Sequence, residues 1–244
     1  MTIRLRFLLP ALLLAALPAA FAQAQSCTAR SGDSIAPVIE LYTSEGCSSC
    51  PPADRWLSSL PLESAMVPLA FHVDYWDSLG WPDRFASPAF TRRQNEQRAV
   101  NGARVNYTPQ VVVQGRDRPD WPRLALPLAI GTAPLVDITL QGDGRGFEAT
   151  VRPRPGAPER LAAFWAVTES GHRSRVTAGE NAGEKLAHDH VVRQLHRVPP
   201  WTGAEIRLSF APSLPADAAH PRALSLVVLD AASGRPLQAL RLRC

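Results

Sequence analysis

The chain has little of what charged or fibrous ligands need. Among its 244 residues there is a single lysine, Lys185, and its arginines are scattered among alanine, proline and leucine. No run of basic residues with interleaved aromatics exists, so the pI of about 9.2 does not point to nucleic acid. Beyond the first twenty or so residues no continuous apolar stretch approaches the length a bilayer requires, and no membrane span is expected in the mature chain. Internal repeats and low-complexity tracts are missing too. Cysteine is sparse, with four in all, and a second C-x-x-C is absent, so zinc through Cys47 and Cys50 would have to recruit histidines, which the sequence places at no recognisable spacing.

The opening MTIRLRFLLPALLLAALPAAFAQAQ has Arg4 and Arg6, then an apolar stretch broken by Pro10 and Pro18, then small residues. This order predicts a secretory signal over residues 1–24 and a periplasmic or secreted product of about 220 residues. In that compartment an even number of cysteines favours disulfides over free thiols.

Pattern divides the remainder. Over 33–131, strand-like runs at 38–43, 67–73 and 110–114 alternate with helix-like ones at 53–60 and 90–101, which predicts an α/β layer. Over 134–244, apolar runs at 135–140, 147–151, 161–168, 191–195, 206–210, 224–229 and 237–242 are separated by Gly- and Pro-bearing turns, predicting a β-rich, sandwich-like module. The stretch FTRRQNEQRAVNG reads as a solvated helix capped at Gly102.

The chemistry concentrates in VIELYTSEGCSSCPPADRWL. Cys47 and Cys50 follow a strand and a short loop, with Pro51 and Pro52 at positions that suit a first helical turn. A sulfur at a helix N-terminus is stabilised as thiolate by the unsatisfied N–H groups and the dipole. That placement favours a redox couple over a staple. Copper held by Cys47, Cys50 and a histidine such as His72 stays open, because soft thiolates favour Cu(I). So does a non-catalytic binding protein with an inert bridge.

The segment LYTSEGCSSC resembles the active-site loop of the thioredoxin superfamily, with glutaredoxin-type spacing, and NYTPQVVVQG resembles that superfamily's cis-proline loop. With FHVDYW and GENAGEKLAHDHVV, the chain over about 35–242 resembles the exported DUF1223 family of thioredoxin-like proteins. The resemblance implies an α/β, thioredoxin-like domain followed by the β-rich module. It further implies a thiol-disulfide oxidoreductase whose Cys47 attacks, Cys50 resolves, and Thr108 and Pro109 present backbone to substrate. The implied partners are a protein or small-molecule thiol or disulfide and an unidentified redox partner. No cofactor beyond the redox-active disulfide is expected.

Glu40 is the candidate for the superfamily's buried acid, and His72 is a second candidate proton relay, sharing a strand face with Asp74. The proline-rich RDRPDWPRLALPLAIG departs from the superfamily pattern, where a last edge strand and helix belong. Cys27 and Cys244, at the two ends of the mature chain, are expected to form a structural disulfide. His188 and His190, two apart on one strand face, are weak metal candidates.

Overall fold

The computed structural model describes residues 26–61, 65–126, 128 and 130–244, so the expected signal over 1–24 lies outside the described residues. The N-terminal half supplies β1 (Cys27–Arg30), β2 (Val38–Thr43), α1 (Pro51–Ser58), β3 (Val67–His72), α2 (Pro88–Val100), β4 (Gln110–Val113) and the two-residue β5 (Arg116–Asp117). Then follow β6 (Val136–Gly142), β7 (Phe147–Pro153), β8 (Arg160–Glu169), β9 (His172–Arg175) and β10 (Lys185–His188). The chain ends with β11 (Val191–Thr202), β12 (Ile206–Phe210), β13 (Arg222–Asp230) and β14 (Pro236–Leu242).

The expected fold class is not what forms. The protein is mostly β-sheet, with only two α-helices among the described residues and three sheets. An α/β, thioredoxin-like domain with a separate β-rich module behind it is overturned by the largest sheet, whose eight strands run β14-β13-β8-β11-β3-β2-β4-β5. Strands from both halves of the chain share it. The junction is the parallel pairing of β11 with β3 at Val191 and Ala70. β3 is buried throughout and apolar up to His72, so its edge would be an exposed pairing template unless another strand covered it. Between Gly115 and β6 the described residues make only β5 and a 3-10 turn at Trp121–Arg123, because the prolines there withhold ladder donors.

A four-stranded sheet, β1-β6-β7-β12, packs on one face of the large sheet. Period-2 alternation decides the packing: Leu161, Ala163, Trp165 and Val167 of β8, with Leu226 of β13, face Ile138, Leu140 and Val151 of the small sheet, all buried. Phe164 and Ala166 turn to the other face and join Tyr42, Phe71 and Phe90, where α2 packs. Helix α1 covers Ile39, Leu41, Ala70 and Val111 through Ala53 and Leu57. Since Val191 pairs with both Ala70 and Glu169, α1 lies on the same face as the small sheet. The two-stranded β9–β10 hairpin stands there beside α1.

Local chemistry fixes the element ends. Ser87 caps α2, its Oγ accepting from the Ala89 N–H, and Pro88 begins the helix. Gly144, at φ +82°, makes the β6–β7 turn in a conformation that side-chain-bearing residues rarely adopt. Helix α2 is not solvated all round as its sequence suggests: Arg93, Gln94 and Gln97 are buried.

Cys27 and Cys244 are joined by a disulfide, as expected, across 217 residues. Replacing both by serine should lower unfolding free energy by about 3–5 kcal/mol, since the closed loop is long and the unfolded chain gains its freedom. Urea melts of the two proteins check this. Non-reducing peptide mapping should recover Cys27 linked to Cys244 and to nothing else.

Candidate functional site

The site forms where β2 and β3 end together. In the parallel register Thr43 lies beside His72, on the α1 face. The chain leaves β2 through buried Ser44, Glu45 and Gly46 and reaches Cys47, which is bonded to Cys50. Cys50 is the N-cap of α1, so the helix begins one residue after the pair rather than at Cys47. Pro51 and Pro52 carry no N–H, and the Ala53 and Asp54 amides donate to the Cys50 carbonyl. The helix terminus thus offers the sulfurs its dipole but few free donors. The Ser49 hydroxyl lies 3.5 Å from the Cys47 sulfur.

Both sulfur-bearing residues are 0% exposed. Part of the cover comes from the loop between β9 and β10. Asn181 Nδ2 donates to the Glu45 and Cys47 carbonyls at 2.8 and 3.0 Å, and Glu180 accepts from the Ser48 amide and hydroxyl at 3.1 and 2.8 Å. From the other direction, Trp76 crowds Gly46: a Cβ there would stand 3.2 Å from the Trp76 Cβ. The Trp76 indole N–H donates to the Thr108 hydroxyl at 2.8 Å. The Thr108–Pro109 bond is cis and leads directly into β4. Through Trp76, Thr108 is therefore linked to the cysteine loop.

Glu40 is not brought to the sulfurs. It shares the α2 face with Tyr42, and Arg93 binds it bidentately, Nε to Oε2 at 3.0 Å and Nη2 to Oε1 at 2.7 Å. Burial and the Glu40 carboxylate hold the Tyr42 hydroxyl well above its usual range.

His72 does come to the cysteine end, in a buried polar cluster with Glu45, Asp54, Asp83 and His188. Its Nδ1 lies 2.6 Å from Asp83 Oδ2. Burial alone would raise the Asp83 carboxyl, but His72 and the Glu45 and Phe85 amides outweigh it and hold the group down to about 2. Asp74, expected beside His72, instead accepts from the Thr91 hydroxyl.

His188 stands between two carboxylates, Nε2 3.4 Å from Glu45 Oε1 and Nδ1 3.7 Å from Asp54 Oδ1. Burial pushes its imidazolium down, yet Asp54 and Glu45 together carry it up to about 9. His190 is not its companion. The chain breaks between β10 and β11 with His190 at φ +57°, which cancels strand alternation. Burial, then Arg241, holds His190 down to about 4.

Sequence reasoning did not assign Glu45, Asp54, Glu180 or Asn181. Asp54 carried a readable signal, since it stands four residues after Cys50 on the helix that begins there. Asn181 carried none, because its role depends on a hairpin folding back 134 residues onto Cys47.

Among solved structures, the crystal structure of protein AGR_C_4864 from Agrobacterium tumefaciens is 28% identical, with TM-score 0.66, over 87% of this chain and 96% of that one. HBP35 of Porphyromonas gingivalis, 14% identical with TM-score 0.57 over 87% of this chain and 76% of that one, shares the fold. No curated protein matches the chain. Among the described residues no helix is long and apolar enough to cross a membrane. The profile described as "Protein of unknown function (DUF1223)" matches residues 38–229, most of the sequence, and the chain belongs to that family.

Proposed function

We propose that the protein is an exported thiol–disulfide exchange protein acting through Cys47 and Cys50. The observation that carries this reading is the contrast between its two disulfides. The Cys27–Cys244 bond spans 217 residues and restrains the unfolded chain strongly, whereas Cys47–Cys50 spans 3. On the chain-entropy relation the short bridge is worth about 2 kcal/mol against roughly 5 for the long one. A short bridge at a helix start is poorly placed as a staple and well placed for exchange. Export is supported by the pattern of residues 1–24 together with the two disulfides.

In the reducing direction the Cys47 thiolate attacks one sulfur of a substrate disulfide. The other substrate sulfur leaves as thiolate and takes a proton. The Cys50 thiolate then attacks Cys47 Sγ, breaks the mixed disulfide and closes the intramolecular bond, so two electrons pass to the substrate. A substrate dithiol reverses these steps, and an external redox partner resets the pair. Thr108 and Pro109 present backbone to an extended substrate segment. The substrate is a protein or small-molecule disulfide or dithiol.

Full burial of both sulfurs favours a second reading, an inert bridge in a non-catalytic binding protein. The copper alternative, with Cys47, Cys50 and His72 as ligands, needs the reduced pair, since here the sulfurs are bonded to each other. Turnover of a model peptide disulfide by reduced protein, lost in Cys47→Ser, supports exchange. A pair that neither reduces the peptide nor oxidises its dithiol leaves the inert bridge.

If the β9–β10 loop gates the sulfurs, Asn181→Ala should speed reduction of the Cys47–Cys50 bond by dithiothreitol about tenfold or more. Two hydrogen bonds to buried carbonyls are lost, each worth about 0.5–1.5 kcal/mol. Timed alkylation with mass detection reads the rate, and an unchanged rate removes the gate.

A further inference from the structure

We propose that Asp54, His72 and His188 form a buried site for one first-row divalent cation, with zinc as the reference ion, beside the Cys47–Cys50 disulfide. One donor atom from each lies within 4.8 Å of the others, and the three residues are at most 7% exposed. Zinc–nitrogen and zinc–oxygen bonds are about 2.0–2.2 Å, so an ion would seat after the side chains draw in by about an ångström. Two imidazoles and one carboxylate form a donor set that binds such ions and leaves a coordination position open.

The independent observation is what surrounds the three donors. His72 Nε2 is buried without a hydrogen-bond partner, and the His188 nitrogens meet Glu45 Oε1 and Asp54 Oδ1 only as ion pairs at 3.4 and 3.7 Å, without a hydrogen bond. Buried polar atoms left this way are rare in native proteins and call for an explanation. Each candidate ligand also has an outer partner on its far side. Asp83 takes the Nδ1 side of His72, so a neutral ring donating there carries its lone pair on Nε2. Thr43 Oγ1 donates to Asp54 Oδ2 at 3.0 Å, leaving Oδ1 toward His188. Glu45 Oε1 stands opposite His188 Nε2, leaving Nδ1 toward Asp54. Such outer carboxylates and hydroxyls orient metal ligands and fix the tautomers of ligating histidines.

Charge agrees with this arrangement. Glu45, Asp54 and Asp83 are three buried carboxylates, and their ion pairs run to the two imidazoles. A buried charge needs pairing or a metal. The four elements that carry the three ligands and their outer partner Thr43 are β2, α1, β3 and β10, so a bound ion would tie the hairpin to the main sheet.

The test uses the full purified chain, stripped with chelator, incubated with zinc and desalted. Native mass spectrometry should find one zinc per chain, and the melting temperature should rise. Asp54→Asn, which keeps the side-chain shape, and His188→Ala should each abolish retention, and Asp83→Asn should weaken affinity about 10–100-fold. The Cys47→Ser/Cys50→Ser double variant should retain zinc fully, and cobalt(II) loading should show no sulfur-to-metal charge transfer. These arms separate the site from the disulfide chemistry, so either can fail alone. No zinc retained, zinc retained equally by Asp54→Asn and His188→Ala, or zinc lost with the cysteines would each overturn the proposal.

Discussion

Arg93→Met should destabilise the protein by about 3–5 kcal/mol, the usual consequence of removing one partner from a buried ion pair. The substitution leaves Glu40, 1% exposed in β2 of the large sheet, without the guanidinium that binds both its oxygens. What remains is the Tyr42 hydroxyl at 2.5 Å and the Gln97 amide at 3.5 Å, which do not neutralise a carboxylate. Arg93 also stacks over Phe164, at 4.8 Å from the ring centre, and methionine keeps most of that packing. The lost stability should therefore be electrostatic. At about 2–4 °C per kcal/mol for a chain of this size, the melting temperature should fall by roughly 6–20 °C. Adding Glu40→Leu should restore most of it, because a pair replaced by apolar residues no longer strands a charge. Denaturant melts of the two single variants and the double variant check this. Additive losses would show that the two side chains act separately.

The second large effect concerns capture of substrate. With Cys50→Ser, Cys47 should form a mixed disulfide with a peptide disulfide and keep it, because the thiol that would resolve it is gone. Cys47→Ser should capture nothing, a complete loss rather than a partial one. The asymmetry follows from position. Cys47 lies in the loop beside exposed Ser48 and Ser49, and Cys50 caps the helix with its carbonyl engaged by the Ala53 and Asp54 amides. Asn181→Ala should increase capture by the Cys50→Ser protein if the hairpin loop is the cover. Mass spectrometry of the trapped adducts reads all three. Equal trapping by the two serine variants would remove the assigned roles.

Much of the local structure was legible, and the reasons are physical. The runs at 38–43 and 206–210 become strands with those bounds, since their β-branched and aromatic residues suit a pleated surface. The disulfide partners were readable from cysteine number and position. Pairing between distant strands was not: nothing in the 67–73 run says that its edge receives 191, and that one contact turns two expected units into a continuous sheet. Helix α2 misled for a related reason. Arg93, Gln94 and Gln97 look solvent-facing until Glu40, Tyr107 and Gln110 are known to lie opposite them. The same holds at the cysteine end, where Asp54 and His188 are 134 residues apart in sequence and acquire meaning only through the fold. His188 and His190 illustrate the converse, a sequence pairing that one left-handed residue undoes.

The reduction potential of the Cys47–Cys50 couple tests the proposed exchange most directly. It is measured by equilibrating the protein in graded thiol–disulfide buffers and counting the alkylated pair by mass, with Cys27–Cys244 as the internal reference. An exchanging couple should titrate between about −120 and −270 mV, the span of working oxidoreductases, while the long bridge stays oxidised. A Cys47–Cys50 value below about −300 mV, in the range of structural disulfides, would contradict the proposed function and leave the pair as an inert bridge.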